Sequence, residues 1–207
     1  MKFVAANSKV PVPKFHDHLV DPDTQQRSII VDYVPGTDLK KEALDELRRI
    51  PSQGYFGNLN CTPYHEGMLS SRDHDPSISG PFGNEEQLNQ GILKCLGQRE
   101  SPHYIRLFRE PIQRTLRGHR TVFTHADLQP NNVMVEQKGV CEDGSPDYQI
   151  TLIDWDLAGW YPEYWDYCNS TVYCQGKPEW LELVPDIFDE YPVEYLMMRI
   201  FYTSMFY

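Results

Sequence analysis

Residues 123–136 read Phe-Thr-His-Ala-Asp-Leu-Gln-Pro-Asn-Asn-Val-Met-Val-Glu, and residues 152–156 read Leu-Ile-Asp-Trp-Asp. The first stretch holds a His-x-Asp, His125 to Asp127, with Asn132 at the fifth position after the Asp and an apolar run behind it. The second sets Asp154 27 residues after Asp127, between an apolar run and an aromatic. The surrounding segments read as strands: Thr121–Thr124 is a short β-branched and aromatic run, Asn132–Val135 a second, and Tyr148–Ile153 a third. Lys138-Gly139 and Asp143-Gly144 supply turns that join the last two into a hairpin. A His-x-Asp alone says little, because both residue types sit in turns for capping reasons. The three spacings together, in a strand-and-turn setting, are specific.

Two oxygen-rich loops brought together by adjacent strands suit phosphoryl transfer. Asp127 is placed to accept the proton of an attacking hydroxyl, and Asn132 and Asp154 to hold magnesium ions that neutralise phosphate charge. That reaction asks the protein for positioning and electrostatics more than for covalent chemistry.

The stretch resembles the aminoglycoside phosphotransferase and choline kinase-like family, a branch of the protein-kinase-like fold that phosphorylates small molecules. Ala126 fits the small middle residue usual there, whereas protein kinases tend to carry Arg, and Phe-Gly after the second Asp in place of Trp155-Asp156. The runs Ile153–Asp166, Gly80–Glu85 and Val10–Pro13 look especially like fungal members. The resemblance implies an α+β, protein-kinase-like fold, mostly the helical C-terminal lobe with a catalytic β-hairpin and a remnant of the N-terminal sheet. It implies Asp127 as catalytic base, Asn132 and Asp154 as magnesium ligands, ATP as co-substrate and a small-molecule hydroxyl as acceptor. His125 and Asp166 are then structural supports of the catalytic loop, and Asp156 either touches metal or water or is a solvent-facing turn acid. Ser28–Gly36, a β-branched strand ending in Pro-Gly, reads as the hinge, with the backbone of Asp32, Tyr33 and Val34 meeting the adenine edge. Residues 1–36 are expected to form an N-lobe and hinge remnant, and 37–207 the helical lobe.

The family's phosphate-covering loop, its strand lysine and its helix glutamate have no counterpart ahead of the hinge. Lys2, Lys9 and Lys14 are the lysines there, and none has a strand setting of the expected kind. Met1–Ala6 reads as the end of the helix that would carry the glutamate. The resulting expectation is a family member lacking its front, with little or no turnover by itself and an exposed sheet edge that favours marginal stability or association. The competing expectation is a non-catalytic remnant that binds a ligand or partner.

With 30 acidic against 19 basic residues and a net charge of −11, the chain is not of the basic type that binds nucleic acid. Its five cysteines form no Cys-x-x-Cys pair and read as free thiols of a reducing, cytoplasmic setting. His16-x-His18 has the wrong spacing for one helical face and reads as loop. No apolar run approaches the ~20 residues of a membrane span.

Helices are expected from Asp38 as N-cap through Ile50, with Leu39, Ala43, Leu47 and Ile50 on one face, and from a capping box at Asn84-x-x-Gln87 followed by Leu88, Ile92 and Leu96. His103–Leu116 is expected to bend or split at Pro111. Further helices are expected at 163–173, 178–189 and 195–206. Residues 51–83, rich in Gly, Pro, Ser and Asn, read as a long loop in which Tyr64, His65, His74 and Asp75 are candidate substrate contacts.

Overall fold

Alternating apolar runs and capped amphipathic segments assemble into an α+β architecture. A computed structural model describes residues 1–20, 27–31, 41–65, 67–69, 71, 75–141, 144 and 146–206. The chain begins with α1 (Lys2–Asn7), the hairpin strands β1 (Phe15–Val20) and β2 (Arg27–Val31), and α2 (Lys41–Arg48). There follow β3 (Gly57–Asn58), α3 (Pro76–Ser79), α4 (Glu85–Leu96), α5 (Pro102–Thr115) and β4 (Thr121–Thr124). The second half carries β5 (Val133–Val140), β6 (Pro146–Leu152), β7 (Gly159–Pro162), α6 (Trp165–Tyr173), α7 (Pro178–Ile187) and α8 (Pro192–Phe206). Among the described residues three antiparallel sheets form: β1 with β2, β5 with β6, and the order β3-β7-β4.

The β5–β6 hairpin pairs Val133 with Leu152 and Val135 with Ile150. This register buries Val135 and Leu152 completely. Beside it, β4 and β7 pair Phe123 with Trp160, and Phe123 is also 5.1 Å from Phe3 of α1 and stacked at 6.5 Å on Trp155. An aromatic cluster thus ties α1 to the strands that carry the two acidic loops. Gly159 is the one residue type that fits its place in β7: a Cβ there would lie 2.6 Å from the Gly57 carbonyl oxygen across the β3 pairing.

The helices follow their sequence signals closely. Asn84 caps α4 through its side-chain oxygen and the Gln87 N–H at 2.9 Å, while Gln87 Oε1 reaches back to the Gly83 N–H at 2.8 Å. The reciprocal bond therefore lands one residue earlier than a standard capping box. Leu88, Ile92 and Leu96 are buried behind that cap. Gly91 lies within this helix because Phe82 packs on it, and a Cβ would meet the Phe82 ring at 2.6 Å. In α2, Leu44 and Leu47 face the core, with Ala43 at its edge, and Ile50 is buried just past the helix end. Met198, Phe201 and Tyr202 of α8 are likewise buried.

Several expectations change. The helix α5 runs from Pro102 to Thr115 through Pro111 without splitting. Pro111 and Leu107, whose carbonyl loses its usual partner, both lie on the solvent side, so water can serve that carbonyl. His16 and His18 lie in strand β1, not in a loop. The segment 51–83 is also not a plain loop. It holds β3, 3-10 turns at Leu59–Cys61 and Gly67–Leu69, α3, and a bridge between Phe56 and Phe82. Its anchors are backbone bonds from Tyr64 N–H to the Ser79 carbonyl and between Phe56 and Phe82. Asp32, Tyr33, Val34, Asp38, Leu39, His74 and Asp143 lie outside the described residues. Among the described residues, no helix is long and apolar enough to cross a membrane.

Candidate active site

Strand β4 delivers the chain to His125, and a turn in which Ala126 takes φ +67° reverses it toward Asp127. A left-handed conformation in a non-glycine residue costs of order 1–3 kcal/mol and persists only where surrounding structure holds it. Here α6 does the holding. Asp166 is 6 % exposed and accepts the Ala126 N–H at 2.8 Å and the His125 N–H at 3.3 Å. One turn further on, Asn169 donates its amide to the Ala126 carbonyl at 3.0 Å and accepts a short hydrogen bond from the Tyr202 hydroxyl. Both sides of the strained peptide unit are therefore fastened to one helix face, and that face is fastened to α8.

His125 is fully buried, and both ring nitrogens are committed. Nε2 donates to the Ile153 carbonyl at 2.8 Å, and Nδ1 accepts the Asp127 N–H at 3.3 Å. Burial holds its titration below the ordinary imidazole value, against the pull of Asp166 and the Ile153 carbonyl. The bonds and the burial agree on a neutral ring with the proton on Nε2. A side chain so placed braces one acidic loop against the other and has no free nitrogen to move a proton. Burial also pushes the Asp166 carboxyl up, opposed by His125 and the two backbone N–H groups.

The 3-10 turn Pro130–Asn132 folds Asn132 back over Asp127. Its amide nitrogen donates to the Asp127 carbonyl and to Asp127 Oδ2, each at 2.8 Å. Gln129 Nε2 lies 3.1 and 3.2 Å from the two Asp127 carboxylate oxygens. With its donors used on Asp127, Asn132 presents its oxygen. Asp154, exposed and at φ +60°, follows Ile153, whose N–H donates to the Asn132 carbonyl at 3.0 Å. The backbone thus sets Asn132 and Asp154 side by side, with His125 bonded to the same Ile153. Asp156 is an exposed turn residue.

The predicted residues His125, Asp127, Asn132, Asp154 and Asp166 are brought together by these bonds, whereas Asp75 caps α3 through the Ser77 N–H at 2.8 Å. His65 is engaged with Asn58 at 2.5 Å, and Tyr64 donates to the Trp160 carbonyl at 2.7 Å. Tyr64 nevertheless walls a cavity of about 20 Å³ that reaches Ala126, shared with Tyr161, Trp165, Asn169, Tyr173 and Tyr202. That space holds about one water and no substrate. Asn169, Tyr202 and Gln129 were not singled out from sequence. Asp166 and Asn169 stand three apart, a spacing that places both on one helix face, and this was the available signal.

A small carboxylate-and-amide site, carried on a β-hairpin and held from below by a helix, defines a hydroxyl- and phosphate-handling class of protein. The chain belongs to the phosphotransferase enzyme family, whose sequence model matches residues 1–195, and its fold is that family's kinase-like α+β fold. No curated protein matches the chain.

Proposed function

We propose that this chain serves ATP- and magnesium-dependent phosphoryl transfer to a hydroxyl of a small molecule. The observation that carries the reading is Asn132, which ties its amide nitrogen to Asp127 while its backbone carbonyl, bonded by the Ile153 N–H, sets it beside Asp154. Among the described residues no group of three His, Cys, Asp or Glu side chains could cage a metal. That suits magnesium, which is commonly held by one or two protein oxygens together with substrate phosphates and water. Asn132 Oδ1 and the Asp154 carboxylate would hold it, and when bound it would neutralise charge on the phosphates.

Asp127 is the base in this reading. Its carboxylate is oriented by Gln129 and Asn132 and its loop is fixed by Asp166 and Asn169, so an acceptor hydroxyl would meet a preset oxygen. His125 supports the loop as a neutral brace. The backbone of Asp32, Tyr33 and Val34 is proposed to meet the adenine, with 1–36 as the N-terminal portion and 37–207 as the helical lobe.

The test is equilibrium binding of ATP with and without Mg2+, followed by transfer assays on a panel of amine-bearing alcohols. We expect magnesium-dependent binding that Asp154→Asn weakens, and transfer that is weak at most, in keeping with the missing phosphate-covering loop and lysine, and that Asp127→Asn removes. Binding indifferent to both magnesium and Asp154 would overturn the assignment. Magnesium-dependent binding with no transfer would make the chain a ligand-binding module.

A further inference from the structure

His119, outside the site just described, stands between two carboxylates. Its Nδ1 is 2.7 Å from Glu85 Oε1 in the first turn of α4, and its Nε2 is 3.2 Å from Glu194 Oε1 in the first turn of α8. An imidazole carries two N–H donors only when protonated, so this geometry selects the imidazolium. The three side chains are 11, 12 and 16 % exposed, which limits screening by solvent. Arg120 beside them is committed to Glu163 at 2.7 Å. From α6, Cys168 and Tyr167 face the same cluster, and burial pushes both titrations up, so both stay neutral. Tyr191 adds an edge-on ring at 6.2 Å.

The two carboxylates are not equally served. Glu85 Oε2 also accepts the Gly118 N–H at 2.6 Å and the His119 N–H at 3.2 Å. Glu194 has His119 alone among the described residues. A second observation bears on the same spot. Tyr164 is fully buried, packs edge-on to His119 at 4.7 Å, and its hydroxyl has no hydrogen-bond partner among the described residues. Burial, Cys168, Glu85 and Glu194 all push its titration up, which places both carboxylates near it.

We propose that His119, Glu85, Glu194 and Tyr164 form a proton-operated latch that seats α8 and, through Tyr202 and Asn169, tightens the brace on the Asp127 loop. The link to the loop's chemistry rests on the functional reading above; the latch itself does not. When the imidazolium gives its proton to solvent, Nδ1 keeps its hydrogen for the shorter bond to Glu85. Bare Nε2 then faces the Glu194 carboxylate, a repulsive pairing. The Tyr164 hydroxyl is a donor held beside both carboxylates, and its lack of a partner among the described residues in the protonated state is explained by this second role. Release of Glu194 loosens the first turn of the helix that carries Tyr202.

The direction with pH follows from the balance at His119. Burial alone would lower its titration, but the hydrogen bonds and charges of Glu85 and Glu194 outweigh burial and raise it. A raised group contributes its full stability below the free imidazole value of about 6.5 and loses it as pH climbs through the folded value. The latch is closed in mildly acidic solution and opens on the alkaline side.

Imidazole NMR of the full chain from mildly acid to alkaline pH is the test, combined with amide exchange of residues 195–199. The expected result is a His119 titration above about 6.5, a neutral form protonated on Nδ1, and loss of amide protection of about tenfold across that titration, beyond the intrinsic pH effect. Glu194→Gln should remove that pH-dependent loss. Tyr164→Phe should leave protection intact at acid pH and deepen the loss at alkaline pH. An Nε2-protonated neutral form, a titration at or below the free value, or equal exchange profiles in wild type and Glu194→Gln would overturn the latch. Equal weakening by Tyr164→Phe at both extremes would remove Tyr164 from it. Should Glu194→Gln fail to fold, the wild-type titration and tautomer decide. No readout here depends on phosphoryl transfer, so loss of the functional reading would leave this result standing.

Discussion

Replacing Asn169 by Ala tests whether α6 really holds the loop. The substitution orphans the Ala126 carbonyl, which receives the Asn169 amide at 3.0 Å, and removes one hydrogen bond from the Tyr202 hydroxyl, which donates to the Asn169 oxygen and keeps Tyr173 as a partner. Ala126 and Tyr202 are 2 and 3 % exposed, so bulk water does not reach either. Leaving a buried polar group without a partner costs about 1–3 kcal/mol, and the one hydrogen bond lost at Tyr202 adds about 1 kcal/mol, which sets an upper range of about 2–4 kcal/mol. The cavity of about 20 Å³ beside Asn169 reduces this. Enlarged by the lost amide, it gains room for a second water that can bond the Ala126 carbonyl, and the expected cost falls to about 1–3 kcal/mol. For a chain of this size that corresponds to a melting shift of roughly 2–12 °C. Tyr202→Phe orphans only the Asn169 oxygen and should cost about 1–2 kcal/mol. Because the two residues share one hydrogen bond, the double variant should lose less than the sum by about 1 kcal/mol. Urea unfolding of the four proteins, with unchanged denaturant slopes, measures all three quantities. A cost for Asn169→Ala below about 0.5 kcal/mol, or additivity within about 0.5 kcal/mol, would refute the brace.

Asp127→Asn should lower any magnesium-dependent transfer about 10²–10⁴-fold, the usual contribution of a positioned base, while leaving the urea midpoint close to wild type; equal loss of both would place Asp127 in folding instead. Gly91→Ala should destabilise α4 by about 1–3 kcal/mol, since the clash with the Phe82 ring outweighs the roughly 1 kcal/mol that Ala gains over Gly in a helix. A neutral or stabilising result in urea titration would mean that Phe82 does not seat on this helix. His125 should stay neutral and Nε2-protonated by NMR at pH 6, where a free imidazole of pKa about 6.5 is mostly charged. Its depressed titration contributes stability above that free value and loses it as pH falls through the lower folded value, so a charged His125 ring at pH 6 would contradict the brace assignment.

The sequence made some parts of this architecture plain because their determinants are local. Thr121–Thr124 and the hairpin after it carry their own alternation and turns, and Asn84, Leu88, Ile92 and Leu96 announce α4 with a cap and a period. Other parts depend on partners far along the chain. The strand β7 has only the residues Gly159 to Pro162, and no local pattern separates it from a loop; what makes it a strand is Phe123 on one side and Gly57 on the other. The segment 51–83 gave the composition of a loop, yet Tyr64 and Phe82 pin it through long-range bonds. Pro111 reads as a helix breaker from sequence alone, because its tolerance depends on which side of α5 meets solvent.

The same division runs through the site. The motif residues Asp127, Asn132 and Asp154 are constrained by spacing, since they sit on two short loops that neighbouring strands and local bonds bring side by side. Residues that hold those loops, Asp166, Asn169 and Tyr202, are constrained only by where α6 and α8 pack, some 40 and 76 positions from Ala126. A left-handed turn at Ala126 has no glycine to relieve it, so its persistence must be supplied by those distant contacts. Two of the three are tied to groups that respond to conditions: Asp166 is a buried acid whose titration is raised, and Tyr202 rides on the helix whose first turn carries Glu194, bonded to His119. The geometry of the Asp127 loop is therefore a property of the whole helical body, and perturbations at α8 should reach it without touching any residue of the motif that names the family.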